Sequence, residues 1–446
     1  MKKFEAAYVP IGVGTFHMES AQAEFEKTKS LLKEVCSGIR VPDEILLTLD
    51  KLNAFLDKIN PDLIILQNIT FANAAYPGAV FARFSCPVVL WALKEPAADG
   101  TRLRLNSLTG SYSSANAYYN FTGRKPIFIF GSPQEAKVKR SLEAAVSAAY
   151  AKYRLKNLKM AQIGHTPEGF GFGRALDIEL LKNFGVTLES VESRELINRA
   201  KNYSDKDIEE YLKDAHGRIR GLEDIAARNV SDFARLYKAY AEYVRENNIG
   251  AVASRCWPDF FTDFGTPVCA VLSILNDLGV AAACEADLYG ALSMFTGMVL
   301  SKKSVFFGDP AYLDEENGTI TFWHCGMAPC SLARKDTGAC AGLHCNRHIG
   351  PTMEFGCEKE EAVTIFRIGR KPDSTFRFFI ETGRAPDKEK QFYGTTVVVE
   401  TDTDAGKIVR ESIREGFEPH YGVIFADVAP ELRMLADMLG MEVWSV

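Results

Sequence analysis

The chain has 446 residues, of which 47% are hydrophobic and 25% are charged, and its formal net charge is −6. This length predicts about two to four domains, and the composition is typical of a soluble globular protein. The acidic balance excludes the basic surface on which nucleic-acid binding depends, and no apolar run approaches the ~20 residues of a membrane span. The N-terminus lacks a signal-peptide pattern, so we expect a cytoplasmic protein whose 10 cysteines are reduced.

The first third of the chain alternates apolar runs with amphipathic helical segments. Three runs followed by turn residues predict buried strands: DLIILQNIT (62–70), CPVVLWAL (86–93) and KPIFIFGSP (125–133). The stretches at 23–39 and 45–59 have helical spacing. This alternation predicts a parallel sheet with helices on both faces, so residues 1–157 are assigned to an N-terminal α/β domain.

A second unit of the same kind begins near residue 158. LKMAQIGHTPEGF predicts a strand followed by a Pro/Gly loop, and IGAVASRCW and GVAAACEAD predict two more strands. The segment between these two, GTPVCAVLSILNDLG, has the pattern of an amphipathic helix that ends at a glycine. Residues 158–300 are therefore predicted to form a second α/β domain, which carries acidic site residues.

After about residue 300 the hydrophobic period changes to that of strands. The segments at 361–370, 374–384 and 393–402 alternate and have no helices between them. Residues 301–446 are therefore predicted to form a β-rich domain. The expected fold class is α/β, with two doubly wound parallel-sheet domains followed by a C-terminal antiparallel, barrel-like domain.

A cluster of cysteines and histidines occupies the start of this third domain. HCGMAPCSLARKDTGACAGLHC (324–345) contains four cysteines, and a fifth follows at Cys357. Their spacing is not the paired C-x-x-C of a zinc ribbon, so structural zinc is the lesser alternative to reduced thiols.

Polar side chains follow the predicted strands of the second domain. Ligands of parallel α/β sheets bind beyond the carboxyl ends of the strands, so these side chains are candidate site residues. They form three clusters: Arg255, Trp257, Asp259 and Asp263; Glu285 and Asp287; and His165 and Glu168. Two histidines from the last third of the chain, His324 and His420, are further candidates. Carboxylates at the end of a core strand need a compensating partner, and oxygen and imidazole ligands suit Mn²⁺, Mg²⁺ or Co²⁺.

Each candidate also has a purely structural interpretation. Asp287 is well placed to cap the helix predicted from LYGALSMFTGMVL, and Glu285 could pair with an arginine. Asp259, which follows Trp-Pro, could be a turn residue, and His420 could be a hydrogen-bonded surface histidine. Both interpretations are retained at this point.

Four segments resemble the L-fucose isomerase family and the related L-arabinose isomerases: CWPDFF, CEADLYGALSMFTG, TFWHCGMAP and EPHYG. The domain order is similar too, and IGHTPEGF resembles the entry to the family's second domain. The resemblance implies two α/β domains, a β-rich C-terminal domain and a homo-oligomer with its site at a subunit interface. It also implies an aldose–ketose isomerase that uses Mn²⁺ or a similar ion.

The resemblance also implies roles for individual residues. Asp287 and His420 resemble the family's metal-binding carboxylate and late histidine. Asp259 is the candidate for the earlier carboxylate, which the family usually supplies as Glu, and Asp263 is its rival. The hypothesis is that Asp259, Asp287 and His420 bind the ion, and that the two aspartates also move the proton. Substrate binding is assigned to Glu285, Trp257, Arg255, His324 and His165.

The chemistry explains why such groups are needed. The carbon acid next to a carbonyl is too weak for a carboxylate alone, and a divalent cation stabilises the cis-enediolate. One carboxylate can then act as general base and a second as general acid. Arg255, Arg347 or Arg174 could bind an anionic group, so deoxy and sulfonated sugars are candidate substrates. The alternatives are a metal-dependent sugar aldolase or lyase, and a non-catalytic sugar-binding protein.

Overall fold

The computed structural model of the protein describes residues 3–446. The chain divides into two compact units, the first formed by residues up to Tyr153 with Pro430–Gly440, and the second by Arg154–Ala429 with Met441–Val446. No helix in the described part is long and apolar enough to cross a membrane. All 10 cysteines are free, as the composition predicted.

The first unit is built on a four-stranded parallel sheet in the order β1-β2-β3-β4. Its strands are β1 (Ala6–Ile11), β2 (Leu63–Asn68), β3 (Val88–Ala92) and β4 (Ile127–Phe130). The helices that accompany them are α1 (Met18–Val35), α2 (Leu49–Leu56), α3 (Ala75–Phe81), α4 (Ser107–Thr122) and α5 (Ala136–Lys156), the last of which continues to the second unit. Strands β2 and β3 are buried throughout, as their unbroken apolar runs predicted, and so is β1. Strand β4 was also predicted to be buried, but its residues alternate between buried and exposed.

The second unit begins with another four-stranded parallel sheet, in the order β6-β5-β7-β8. Its strands are β5 (Lys159–Ile163), β6 (Thr187–Val191), β7 (Ala251–Ser254) and β8 (Ala281–Ala283). Its helices are α6 (Asp177–Phe184), α7 (Ser193–Asn202), α8 (Glu209–Arg218), α9 (Ala227–Asn247), α10 (Cys269–Asp277) and α11 (Leu288–Ser301). The strands are parallel, so the segments that follow β5, β7 and β8 meet at one edge of the sheet.

The rest of the second unit is a large mixed sheet, where an antiparallel one was predicted. The strands after α11 are β9 (Val305–Asp314), β10 (Thr319–His324), β11 (Ala341–Gly342), β12 (Thr352–Met353), β13 (Phe355–Gly356), β14 (Glu360–Arg370), β15 (Phe376–Ala385), β16 (Thr395–Thr401), β17 (Tyr421–Ile424) and β18 (Glu442–Trp444). Two helices lie among them in the chain, α12 (Ala405–Arg414) and α13 (Ala429–Leu439).

Eight of these strands form one sheet in the order β13-β16-β10-β9-β17-β14-β15-β18. Its pairs are antiparallel except β13 with β16 and β15 with β18. A further pairing of β15 with β16 rests on two residue pairs, Gly383 with Thr401 and Arg384 with Glu400. The barrel-like closure itself stays a prediction.

Helix α11 joins the two sheets of the second unit, because β8 precedes it and β14 and β17 pack against it. Two glycines on α11 make this approach close. A Cβ added at Gly297 would lie 2.8 Å from Ile424 of β17, and one at Gly290 would lie 2.5 Å from Phe307 of β9. The helix therefore brings β9 and β17 against the carboxyl end of β8.

Candidate active site

The turn between β8 and α11 carries the two carboxylates singled out in the sequence. Glu285 and Ala286 both have left-handed backbone conformations, with φ of 58° and 54°. Such a conformation costs about 1 kcal/mol or more for a residue with a side chain. The Ala286 N–H donates to the Ser254 carbonyl of β7 at 3.0 Å, and the Asp287 N–H donates to the Cys284 carbonyl at 3.2 Å. These bonds hold the turn, and with it the direction of Glu285.

Asp287 is fully buried, and its carboxylate makes four hydrogen bonds to three partners. Its Oδ1 accepts from the Gly290 N–H at 2.8 Å, which caps helix α11. The guanidinium of Arg367, on β14, donates to both of its oxygens, at 2.6 and 3.1 Å. Burial opposes ionisation of the carboxyl, but Arg367 and His420 outweigh it and hold the pKa of Asp287 well below its ordinary value. The predicted cap is therefore confirmed, and the four acceptor positions of this carboxylate are taken.

His420 immediately precedes β17, and its imidazole lies among three carboxylates. Its Nδ1 is 2.9 Å from Asp287 Oδ2, while its Nε2 is 3.0 Å from Glu285 Oε2 and 3.4 Å from Asp309 Oδ1. The side chain is only 2% exposed. Burial alone would lower the pKa of His420, but hydrogen bonds to Asp287 and Glu285 raise it to about 9.

Asp309, on β9, completes this group. Burial, reinforced by the charges of Glu285 and Asp287, raises the pKa of Asp309 to about 6, although His420 acts in the opposite direction. Glu285 is partly buried, which opposes its ionisation, but its pKa is lowered because His420 donates to it. The two carboxyls that face His420 Nε2 therefore differ in acidity, as a pair that exchanges protons requires.

The protonation of His420 follows from this geometry. A neutral imidazole has one N–H and one lone pair, so it can donate to only one of the groups that face its two nitrogens. Donation from Nδ1 to Asp287 would leave the Nε2 lone pair facing the oxygens of Glu285 and Asp309. Either a second proton or a cation must lie between Nε2 and these oxygens. We call Glu285, Asp309 and His420 the acid–imidazole cluster.

Aromatic rings cover the acid–imidazole cluster. Phe172 and Phe307 pack against the His420 ring, with centroids 5.1 and 4.9 Å away. The indole N–H of Trp257 donates to Glu285 Oε1 at 3.3 Å, and Phe170 meets the Trp257 ring edge-on at 5.8 Å. These rings form an apolar wall beside the cluster.

His324, at the end of β10, lies close by as a neutral histidine. Burial lowers its pKa to about 4. Its Nδ1 accepts from the Gly326 N–H at 3.3 Å, which places the remaining ring proton on Nε2. His324 is therefore a fixed hydrogen-bond donor.

Comparison with curated proteins decides the family. The chain is 56% identical over 442 residues to the sulfoquinovose isomerase of Clostridium sp. (strain MSTE9), with 99% of both chains covered. It is 35% identical over 450 residues to that of Priestia aryabhattai, also covering 99% of each, and 37% identical over 439 residues to that of Alkalicoccus urumqiensis, covering 98% of each. The chain belongs to the sulfoquinovose isomerase family.

Membership of the sulfoquinovose isomerase family confirms the predicted enzyme class, an aldose–ketose isomerase. No protein-family model matches the chain. Among solved structures, a glucose-galactose binding protein from Geobacillus stearothermophilus covers 69% of this chain and 94% of its own, at 12% identity and a TM-score of 0.17. This likeness is too weak to bear on the fold.

In this member of the sulfoquinovose isomerase family, the predicted residues Glu285, Asp287 and His420 lie together. Asp259 is not among them, since its carboxylate faces Arg255 at 3.6 Å and has no described contact with Asp287 or His420. Its rival Asp263 accepts from the Thr262 hydroxyl and is exposed, and His165 and Glu168 are exposed as well. The geometry therefore favours Glu285 and Asp309 over Asp259 and Asp287 as the carboxylates beside His420 Nε2.

Two residues of this site were missed by the sequence analysis, Asp309 and Arg367. Arg367 carried a signal, because it occupies the same face of β14 as the apolar Val363 and Ile365 and is completely buried. A charged residue in such a position requires a buried partner of opposite charge. Asp309 follows the apolar run VFFG of β9. This pattern is a weaker signal of a site residue, because only the folded structure shows that Glu285 and His420 lie beside it.

Proposed function

We propose that this protein interconverts sulfoquinovose, a glucose whose 6-hydroxyl is replaced by a sulfonate, with the corresponding 2-ketose, and that the acid–imidazole cluster is its catalytic centre. The substrate follows from the full-length relatives, which are named as sulfoquinovose isomerases. The observation that supports the centre is the buried imidazole of His420, which meets Glu285 and Asp309 on one nitrogen and Asp287 on the other.

The reaction transfers a proton between C2 and C1 and another between O2 and O1. Glu285 is ionised and is held by the Trp257 N–H and the strained turn, so we assign to it removal of the C2 proton and its return to C1. Asp309, with its pKa raised to about 6, is suited to hold and release the proton that moves between the oxygens. His420 fixes both carboxylates, and the neutral His324 donates to a sugar oxygen.

A divalent cation is part of this proposal, although the described residues include no ready-made site. As the side chains stand, no group of three or more His, Cys, Asp or Glu residues between 3 and 446 is arranged to hold a metal ion. The donors of the acid–imidazole cluster nevertheless suit Mn²⁺, Mg²⁺ or Co²⁺, because Nε2 and two carboxylates converge where a cation would replace the second imidazole proton. When bound, such an ion supplies charge stabilisation for the enediolate.

Metal removal tests this proposal. We expect chelator-treated protein to lose at least about 100-fold in kcat on sulfoquinovose and to recover it on addition of Mn²⁺. In D₂O, NMR and mass spectrometry are expected to show solvent deuterium at C1 of the ketose, because the base exchanges its proton with solvent. Unchanged turnover after chelation would remove the cation from the proposal, and absence of any sulfoquinovose turnover with every ion would overturn the function.

The variant Asp259→Asn tests whether the catalytic carboxylates are Glu285 and Asp309, or Asp259 and Asp287. We expect it to change kcat less than about 5-fold, because Asp259 has no described contact with the acid–imidazole cluster and its partly exposed ion pair with Arg255 contributes little. Steady-state kinetics and Mn²⁺ titration of the variant provide the measurement. A loss of metal binding in Asp259→Asn would restore the ligand set that the family resemblance implies.

The homo-oligomeric state, with a site at a subunit interface, stays a prediction.

A further inference from the structure

Among the described residues, Arg347 is an arginine near the site that has neither an ionic partner nor a side-chain hydrogen bond. Arg347 lies in the loop between β11 and β12, and its described side-chain partners are two rings, with its guanidinium 5.4 Å from the centroid of Trp257 and 4.9 Å from that of Phe261. Arg255, by contrast, faces Asp259, and Arg174 donates to the Thr166 hydroxyl. Arg347 therefore keeps its hydrogen-bond donors available, although the side chain is half-buried.

The loop that carries Arg347 is tightly folded. The N–H groups of Arg347 and His348 both donate to the His344 carbonyl, at 3.1 and 2.8 Å, and the His344 N–H donates to the Ile349 carbonyl at 2.9 Å. The His344 side chain is buried, and its ring meets Phe261 edge-on at 5.1 Å. These contacts hold the loop, and the rings of Trp257 and Phe261 hold the guanidinium, which reduces the ordering cost of binding.

Trp257 connects this arginine to the acid–imidazole cluster. The indole N–H donates to Glu285, and the face of the same ring carries Arg347. A ligand that contacts Glu285 and extends across the indole therefore reaches the guanidinium of Arg347.

The charges of the acid–imidazole cluster suggest why an arginine side chain is placed near it. Asp287 is paired with Arg367, so Glu285 and Asp309 are the carboxylates left at the reacting end, and the charged end of an anionic sugar needs a positive group of its own. Arginine presents a planar fork of donors that matches two oxygens of a tetrahedral anion. A neutral sugar would need no such group.

We infer that Arg347 binds the sulfonate of the substrate and so sets the preference of the enzyme for a sulfonated over a neutral sugar. This inference rests on the proposed function. It assigns C1 and C2 of the sugar to the acid–imidazole cluster, C6 to the far side of Trp257, and the sulfonate oxygens to the Arg347 guanidinium.

The test compares Arg347→Met and Arg347→Lys with the wild-type enzyme on sulfoquinovose and on 6-deoxyglucose, which lacks the sulfonate. We expect Arg347→Met to lose about 10- to 100-fold in kcat/KM on sulfoquinovose, mainly through KM, with a change of less than about 3-fold on 6-deoxyglucose. Arg347→Lys should recover part of the loss, since it restores the charge without the fork. Titration calorimetry with sulfoquinovose should show the same weakening of binding.

The matched control is Arg384→Met, which removes an exposed arginine paired with Glu400 on β16 and is expected to leave KM unchanged. Thermal melts establish that each variant is folded. An unchanged KM for sulfoquinovose in Arg347→Met, or an equal loss on both sugars, would overturn the inference while the isomerase function stands. Failure of the wild-type enzyme to turn over sulfoquinovose would instead overturn the proposed function.

Discussion

Replacing Glu285 with glutamine is expected to reduce kcat on sulfoquinovose by about 100- to 10,000-fold, the usual contribution of a general base. Glutamine has nearly the same shape and can still accept from the Trp257 N–H, so the turn after β8 should keep its conformation. The loss therefore reports on the missing negative charge and proton acceptor. Asp309→Asn is expected to cause a loss in the same range, because it removes the second group of the acid–imidazole cluster.

Glu316→Gln is the matched control for this pair, since Glu316 is exposed in the turn between β9 and β10 and is expected to leave kcat unchanged. Thermal melts and the deuterium-exchange assay at C1 separate catalysis from folding. If Glu285→Gln retained more than about a tenth of wild-type kcat, the base would have to be another group.

Replacing Arg367 with methionine is expected to lower the free energy of unfolding by about 3–5 kcal/mol, because it leaves a buried carboxylate without its cation. The side chains of Arg367 and Asp287 are 0% and 1% exposed, so water cannot compensate for the lost charge. The measurement is denaturant-induced unfolding followed by near-UV circular dichroism, which reports on the packing of the second unit.

The double variant Asp287→Asn/Arg367→Met tests the cause of this loss. Asparagine still caps helix α11, so the double variant should be more stable than Arg367→Met alone. Arg414→Met, which removes an exposed arginine of α12, should have an effect within about 0.5 kcal/mol of zero. Additive losses in the double variant would show that the pair does not interact as described.

Much of the fold could be predicted from the sequence, because parallel strands buried on both faces leave unbroken apolar runs. The same logic identified Glu285 and Asp287, since they follow such a run directly and ligands bind at that edge. The late His420 was found through its resemblance to a motif, and its burial between carboxylates gives that motif a physical basis.

The remaining site residues could not be predicted because their position depends on how distant segments pair. Asp309 and Arg367 belong to β9 and β14, which reach Glu285 and Asp287 only through the strand order of the mixed sheet. Asp259 illustrates the converse. Its place after β7 predicted the site edge, but its carboxylate faces Arg255 rather than the cluster.

The place of β17 in the mixed sheet has a consequence for folding during synthesis on the ribosome. This strand comes near the end of the chain, yet it lies between β9 and β14, and His420 directly precedes it, 133 residues after Asp287. Until residues 420–424 have emerged, the nascent chain has no imidazole for its carboxylates and a gap in its central sheet. Catalytic activity should therefore be the last property to appear during synthesis or refolding, after helical and strand structure has formed.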